Sequence, residues 1–372
     1  MAEVRVSQAP PHMRPMVAAL CLLLPFTQLV QFHLIGTLFL HDLLAPLILG
    51  GMLLARREAL SLQPLYTFLV LIALWFAGQF VTDLVRGTPP SDYLRGWSMI
   101  VLMGINVVML WLVSEGQLRP LALYLGATGI AYAAKPYVIP DRLISTDPWK
   151  FGVGVGVVLL VAVGSIFMPS RKGIIRYLPM ALLLLIAGFS LWRTAAYKKY
   201  LFQATGDVSI FLGGRPESLV SLQAIWDSPI LGHGSWAQDM HYVQLLFFKM
   251  QELGIGDNSF QVYVNNFGGL IPSHSHLLGA WVNAGVLGAL FWVWVLWLAL
   301  TSLYRAISID THARTLYTTV ALLVLWDVMF SPFGAEARTI KAAQICILIA
   351  ANYHVKRILS ASSSKRKISY QR

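Results

Sequence analysis

Charge is scarce in this chain and cysteine is nearly absent. Only 12% of its 372 residues are charged, 17 of them Asp or Glu, while 57% are hydrophobic. So few charged side chains cannot cover a soluble surface, which excludes a water-soluble globular protein and leaves a polytopic membrane protein. The two cysteines, Cys21 and Cys346, both fall in apolar segments and do not make a disulfide framework. No internal repeat is evident, which disfavours transporters built from inverted halves. No Asp, Glu or His set has metal-ligand spacing, so neither a metal nor a cofactor is expected.

What remains in excess is positive charge. The net charge of +11 would point to nucleic acid in a soluble protein. In a membrane protein it reflects basic cytoplasmic loops and tails, and no nucleic-acid partner is expected.

Apolar runs approaching the roughly 20 residues of a bilayer helix fall near 15–32, 34–55, 65–85, 97–114, 120–135, 151–168, 174–193, 277–300, 315–331 and 339–356. The expected fold is all-α, with about ten to twelve transmembrane helices and one large helical loop on the outer side. The first run follows Arg5 and Arg14 without a small-residue cleavage site and reads as a retained helix. The expected organisation is N-terminal transmembrane helices over 1–193, an outer loop over 194–273, C-terminal transmembrane helices over 274–356 and a basic cytoplasmic tail over 357–372.

Alternating from an inner N-terminus puts Arg56, Arg57, Arg119, Arg171, Lys172, Arg176, Arg305, Arg314 and the Lys/Arg-rich tail inside, with only Glu3, Glu58, Glu115 and Asp310 as inner acids. That bias supports both termini in the cytoplasm. The long loop then faces outward, which in a bacterium is the periplasmic side of the inner membrane. Within it, Leu219, Leu222, Ile225 and Trp226 sit at helical spacing over Arg215–Ser228, with Pro216 in the first turn. Trp236–Leu253 reads as a second amphipathic helix, joined by a turn at Pro229-Ile230-Leu231-Gly232-His233-Gly234.

His274 precedes a long apolar run at the water–lipid boundary. There it serves either as a polar cap or as a proton-transfer group facing a lipid-linked substrate. His276, two residues on, either supports His274 or packs. Arg215 opens a helix at its positive end, where a guanidinium and backbone N–H groups together suit a phosphate. Arg193, Lys198, Lys199, Arg338, Lys341 and Arg95 are further outer cations, read first as interfacial anchors. Gly285 and Gly288 are read as small residues for close helix approach. Asp42, beside His41, and Asp327 are intramembrane acids that need a buried partner or a hydrated cavity.

Gly214-Arg215, Pro229-Ile230-Leu231-Gly232-His233-Gly234, His274 and Asn283-Ala284-Gly285-Val286-Leu287-Gly288 follow one another in this order. Together they resemble the bacterial O-antigen ligase and O-antigen polymerase superfamily over about residues 210–290. Two positions depart from its pattern: Ser275 stands for the usual Asn and Asn283 for the usual Glu. The family's Ser-Arg motif has one counterpart, Ser170-Arg171, which this topology places inside.

The resemblance implies a GT-C-like membrane glycosyltransferase that inverts and uses no metal. Its donor would be a glycan on undecaprenyl pyrophosphate. Its acceptor would be another lipid-linked glycan, lipid A–core or a protein, and other polysaccharide-assembly proteins would be partners. His274 would be the catalytic residue, and Arg215 with Arg193 or Arg338 would hold the diphosphate. A lipid-glycan flippase or a non-catalytic envelope scaffold are the competing readings.

Overall fold

The protein is described from a computed structural model, which places residues 13–55, 62–139, 148–167, 178–193, 216–252, 260–308 and 313–370. It is 82% helical and is an all-α membrane protein. Its helices are α1 (Pro15–Leu23), α2 (Leu40–Ala55), α3 (Tyr66–Arg86), α4 (Pro90–Ser114), α5 (Leu118–Val138), α6 (Gly154–Phe167) and α7 (Leu178–Arg193), then α8 (Glu217–Asp227), α9 (Met240–Glu252), α10 (Phe260–Phe267), α11 (His276–Ser308), α12 (Arg314–Phe330) and α13 (Ala337–Tyr370).

Each of the ten apolar runs coincides with a helix. Among the described residues, three segments are long and apolar enough to cross a bilayer: Gln63–Arg86, Pro90–Ser114 and His276–Ser308. Pro15–Leu29, Leu40–Ala55, Gly154–Phe167 and Ala181–Ser190 are shorter apolar helices.

Several boundaries differ from the sequence reading: α4 begins at Pro90 rather than near 97, and α11 runs on to Ser308 rather than 300. The run expected at 34–55 becomes helical only at Leu40; before it, β1 (Gln31–His33) and β2 (Thr37–Phe39) pair as a short antiparallel hairpin. Leu34 and Ile35 supplied the apolarity that looked like helix, but they form the turn of the hairpin, with Leu34 N donating to Gly36 O at 3.1 Å. The tail expected at 357–372 continues α13 as far as Tyr370. Helix α10 was not anticipated.

Contacts order the helix ends. The C-terminal ends of α5 and α12 meet the start of α13 and the start of α11 respectively, through Lys135–Glu336 and His276–Ser331. The start of α2 meets α13 through Asp42–Arg338. At the opposite end Arg14 reaches Glu115, and Arg305 on α11 holds Asn352 on α13. Sequential apolar helices therefore run alternately up and down, and α8, α9 and α10 gather at the end that carries His274.

Helix α11 breaks at Gly285, whose φ of 64° and ψ of −156° are not helical. A side chain there would place its Cβ 1.8 Å from the carbonyl oxygen of Ile230, so only glycine fits. The break exposes backbone groups inside an apolar helix, where they must be satisfied by protein. The turn at Pro229–Gly234 supplies the partners. His233 N donates to Val282 O at 2.7 Å, Gly234 N to Asn283 O at 3.0 Å, and Val286 N to Ile230 O at 3.3 Å. The two glycine motifs are thus halves of one joint. Close helix approach, expected at Gly285 and Gly288, is instead clearest between α5 and α6, where a Cβ on Gly156 would lie 2.4 Å from Gly129 O; Gly78 on α3 also packs closely, where a Cβ would lie 2.8 Å from Leu287 Cβ.

Helix α3 clamps the joint from the other side. Buried Asp83 accepts bonds from Ser235 N at 2.6 Å, Ser235 Oγ at 2.8 Å and Trp97 Nε1 at 2.8 Å. Arg86 donates to Gly232 O at 2.8 Å and to Ser228 Oγ at 2.7 Å, and Thr82 donates to Leu231 O.

Candidate functional site

A cavity of about 710 Å³ opens between the broken helix and the helices gathered over it. Its wall includes Pro216 and Glu217 at the start of α8, His274 and His276 at the start of α11, and Trp75 on α3. Trp236, Phe247, Tyr263 and Phe333 add aromatic surface.

The sequence builds this wall locally. Ser275 caps α11: its Oγ accepts from Leu278 N at 3.1 Å and donates to Val328 O at 2.8 Å. His274 stands just before this cap, in the cavity wall. On α8, Ser221 Oγ donates to Pro272 O at 2.8 Å and ties the helix to the segment that carries His274. Glu217 lies one turn earlier on α8. Its Oε1 is 3.9 Å from His274 Nδ1, with the two side chains 21% and 41% exposed respectively. A carboxylate so placed can stabilise the positive charge that arises when the imidazole takes a proton. Tyr263 faces the same acid. Burial, and then the Glu217 charge, push its phenol up to about 12, so it stays a neutral hydrogen-bond donor.

Arg215 lies outside the described residues, but its chain neighbour Pro216 is in the cavity wall. Arg193 is the last residue of α7, and its side chain is likewise outside what is described.

Arg338 is a correction. Its side chain and that of Asp42 are each 1% exposed, and its Nη2 lies 2.5 Å from Asp42 Oδ2. It also donates to Thr37 O at 2.9 Å. A guanidinium spent on a buried carboxylate cannot also grip a diphosphate in the cavity. Lys341 is not an interfacial anchor either: at 2% side-chain exposure it pairs with Asp327 at 2.5 Å. The two acids and two of the outer cations of the sequence reading thus neutralise one another inside the bundle, where unpaired charge is costly. Arg95 does sit at an edge, over the Trp236 ring at 5.7 Å to its centroid.

His276 is buried at 1% exposure. Its Nδ1 lies 2.6 Å from Ser331 O, and its ring packs on Trp292 and Phe333. It supports the segment after α12 rather than touching His274's carboxylate partner.

Glu217 is the candidate site residue that the sequence reading missed. An acid in the first turn of a helix reads as ordinary dipole pairing, and nothing in the linear spacing brings it to His274. Among the described residues, no three His, Cys, Asp or Glu side chains are grouped to hold a metal ion.

No protein-family model matches the chain, and no curated protein matches it either.

Proposed function

We propose that the protein is a periplasmic-face inverting glycosyltransferase that polymerises or transfers a glycan from an undecaprenyl-pyrophosphate donor. The observation that carries this reading is the shared cavity wall. His274, Glu217 and the residue next to Arg215 line one chamber at one end of a membrane bundle.

In this reading an acceptor hydroxyl attacks the anomeric carbon from the face opposite the diphosphate. A new C–O bond forms, the anomeric C–O bond to phosphate breaks, and undecaprenyl pyrophosphate leaves. His274 takes the hydroxyl proton, and Glu217 stabilises the imidazolium that results. Arg215 stabilises the departing diphosphate with a fixed positive charge, the role a divalent cation fills elsewhere. The aromatic wall suits a sugar ring and an isoprenoid chain. The outward orientation of this end follows from the Lys/Arg bias of the opposite loops.

The test is His274→Ala in producing cells, followed by polysaccharide chain length, lipid-linked intermediates and the level of the membrane protein. Loss of product with accumulated donor outside the membrane, at a normal protein level, is expected. Unchanged product ends the catalytic assignment, and donor retained on the inner leaflet favours a flippase. A polymer of repeating units distinguishes polymerase from transfer to lipid A–core.

A further inference from the structure

Helix α8 carries an apolar stripe that none of the described elements covers. Leu222, Trp226 and Ile230 are 53%, 82% and 72% exposed. The first two lie one turn apart on α8, and Ile230 stands in the turn that follows. The exposed arc of the helix is divided in two. Gln223 and Asp227, one position on from Leu222 and Trp226, bond to each other at 2.9 Å and form a polar half. Val220, Ser221, Ala224 and Ile225 bury the opposite side. A helix with a packed side, an exposed apolar strip and an exposed polar strip suits the boundary between lipid and water.

The position of the stripe identifies what covers it. Ile230 O accepts from Val286 N at 3.3 Å. Beyond Val286, α11 presents Leu290, Val293, Trp297 and Leu300 on one exposed face. On the other flank Thr82 holds Leu231 O, and Val81, Leu84 and Val85 of α3 are exposed. Both helices are long and apolar enough to cross a bilayer, so these faces meet lipid chains. The stripe on α8 continues them without a gap. Arg86, the last residue of α3, donates to Gly232 O at 2.8 Å. The turn is therefore level with the end of a span, the depth at which tryptophan is favoured.

Charge narrows the chemistry further. Residues 216–235 contain no Lys or Arg, so this surface has no means of gripping anionic headgroups. Its attraction to a leaflet comes from burying apolar side chains at the acyl boundary.

We propose that α8 is an interfacial helix whose Leu222, Trp226 and Ile230 are immersed in the adjacent phospholipid leaflet. The first turn of the same helix carries Glu217 in the cavity wall, so the leaflet fixes the height of the cavity rim. The proposal needs a membrane bundle and does not rest on the transferase reading.

The test uses the purified full-length protein in phosphatidylcholine vesicles. Cys21 and Cys346 are buried at 1% and 0% exposure, so a thiol-reactive nitroxide reports on one introduced cysteine, and the unsubstituted protein sets the background. Leu222→Cys, Trp226→Cys and Ile230→Cys probe the stripe. Gln223→Cys probes the polar half, and Trp297→Cys the lipid-facing side of α11. Collision of the label with oxygen, compared with a water-soluble nickel chelate, gives its depth. The three stripe labels should lie roughly 5–10 Å below the headgroup boundary, with the label at 297 deeper and that at 223 in water. Replacing part of the lipid with phosphatidylglycerol should leave these depths unchanged. On the unsubstituted protein in the same vesicles, a carbene-forming lipid photolabel should modify Trp226, a readout that needs no substitution.

Stripe labels as open to the nickel chelate as the label at 223 overturn the proposal and leave the face to a soluble partner. Labels shielded from both reagents, with spectral broadening that vanishes on dilution with unlabelled protein, overturn it in favour of a second copy. Absence of photolabel on Trp226 overturns it as well.

Discussion

His274 Nδ1 and Glu217 Oε1 lie 3.9 Å apart across the rim of the cavity. One residue closes the segment before α11 and the other opens α8, and Ser221 holds the two segments together through Pro272 O. A carboxylate so placed matters most when the imidazole is charged, after it has taken a proton.

Glu217→Gln should therefore lower kcat by about a hundredfold, the lower end of the range for assisted proton transfer, and leave KM for the donor nearly unchanged. The acid limb of the rate profile should move to lower pH, because the imidazole base loses a partner that favours its protonated form. In-membrane transfer assays across pH read both. An unchanged pH profile would mean that Glu217 is a bystander.

Arg215→Lys tests the diphosphate contact. Lysine keeps the charge and loses the planar fork. Product should fall at least about tenfold, the loss of roughly 1.4 kcal/mol of binding, at an unchanged protein level. Full activity would remove the bidentate contact.

Arg338 and Asp42 form a buried pair, so removing one partner should cost about 3–5 kcal/mol. Arg338→Met and Asp42→Leu should each lower the membrane level of the protein. The double substitution should restore both protein level and polysaccharide. A double variant that accumulates normally but makes no product would return Arg338 to the reaction.

Gly285→Ala should destabilise strongly, because φ is 64° and the Cβ would collide with Ile230 O at 1.8 Å. A penalty of at least about 1–3 kcal/mol is expected from the backbone alone. Gly50→Ala, in α2 with nothing within 4 Å of the added atom, should be neutral or slightly stabilising. Thermal unfolding in detergent separates the two; equal midpoints would mean that the joint with the Pro229–Gly234 turn does not hold in solution.

Asp83→Ala should loosen that joint further, since it strips acceptors from Ser235 and Trp97. Limited proteolysis should then cut near residues 228–239 faster, at roughly 1.5–3 kcal/mol lower stability per charged hydrogen bond lost.

The membrane class was legible in the sequence because twenty apolar residues in a row have one physical solution: a helix that pairs its own backbone. The ten helices therefore sit where the apolar runs are. The hairpin at 31–39 was not legible, since a short apolar stretch has the same composition in either state. Gly285 illustrates a different limit. Its place in the motif was plain, but its work, as a backbone break filled by Ile230, needs a partner remote in the chain.

Hydrophobicity alone determined the membrane class and roughly where the apolar helices lie, because burial in lipid is a local demand that each segment meets by itself. Which charges meet was decided only by packing. Arg338 and Lys341 turned to Asp42 and Asp327 because an unpaired charge inside the bundle costs more than an ordered pair, and Glu217 came to His274 because α8 docks on the broken helix. Pairings of this kind depend on distance in space, which the order of residues does not record.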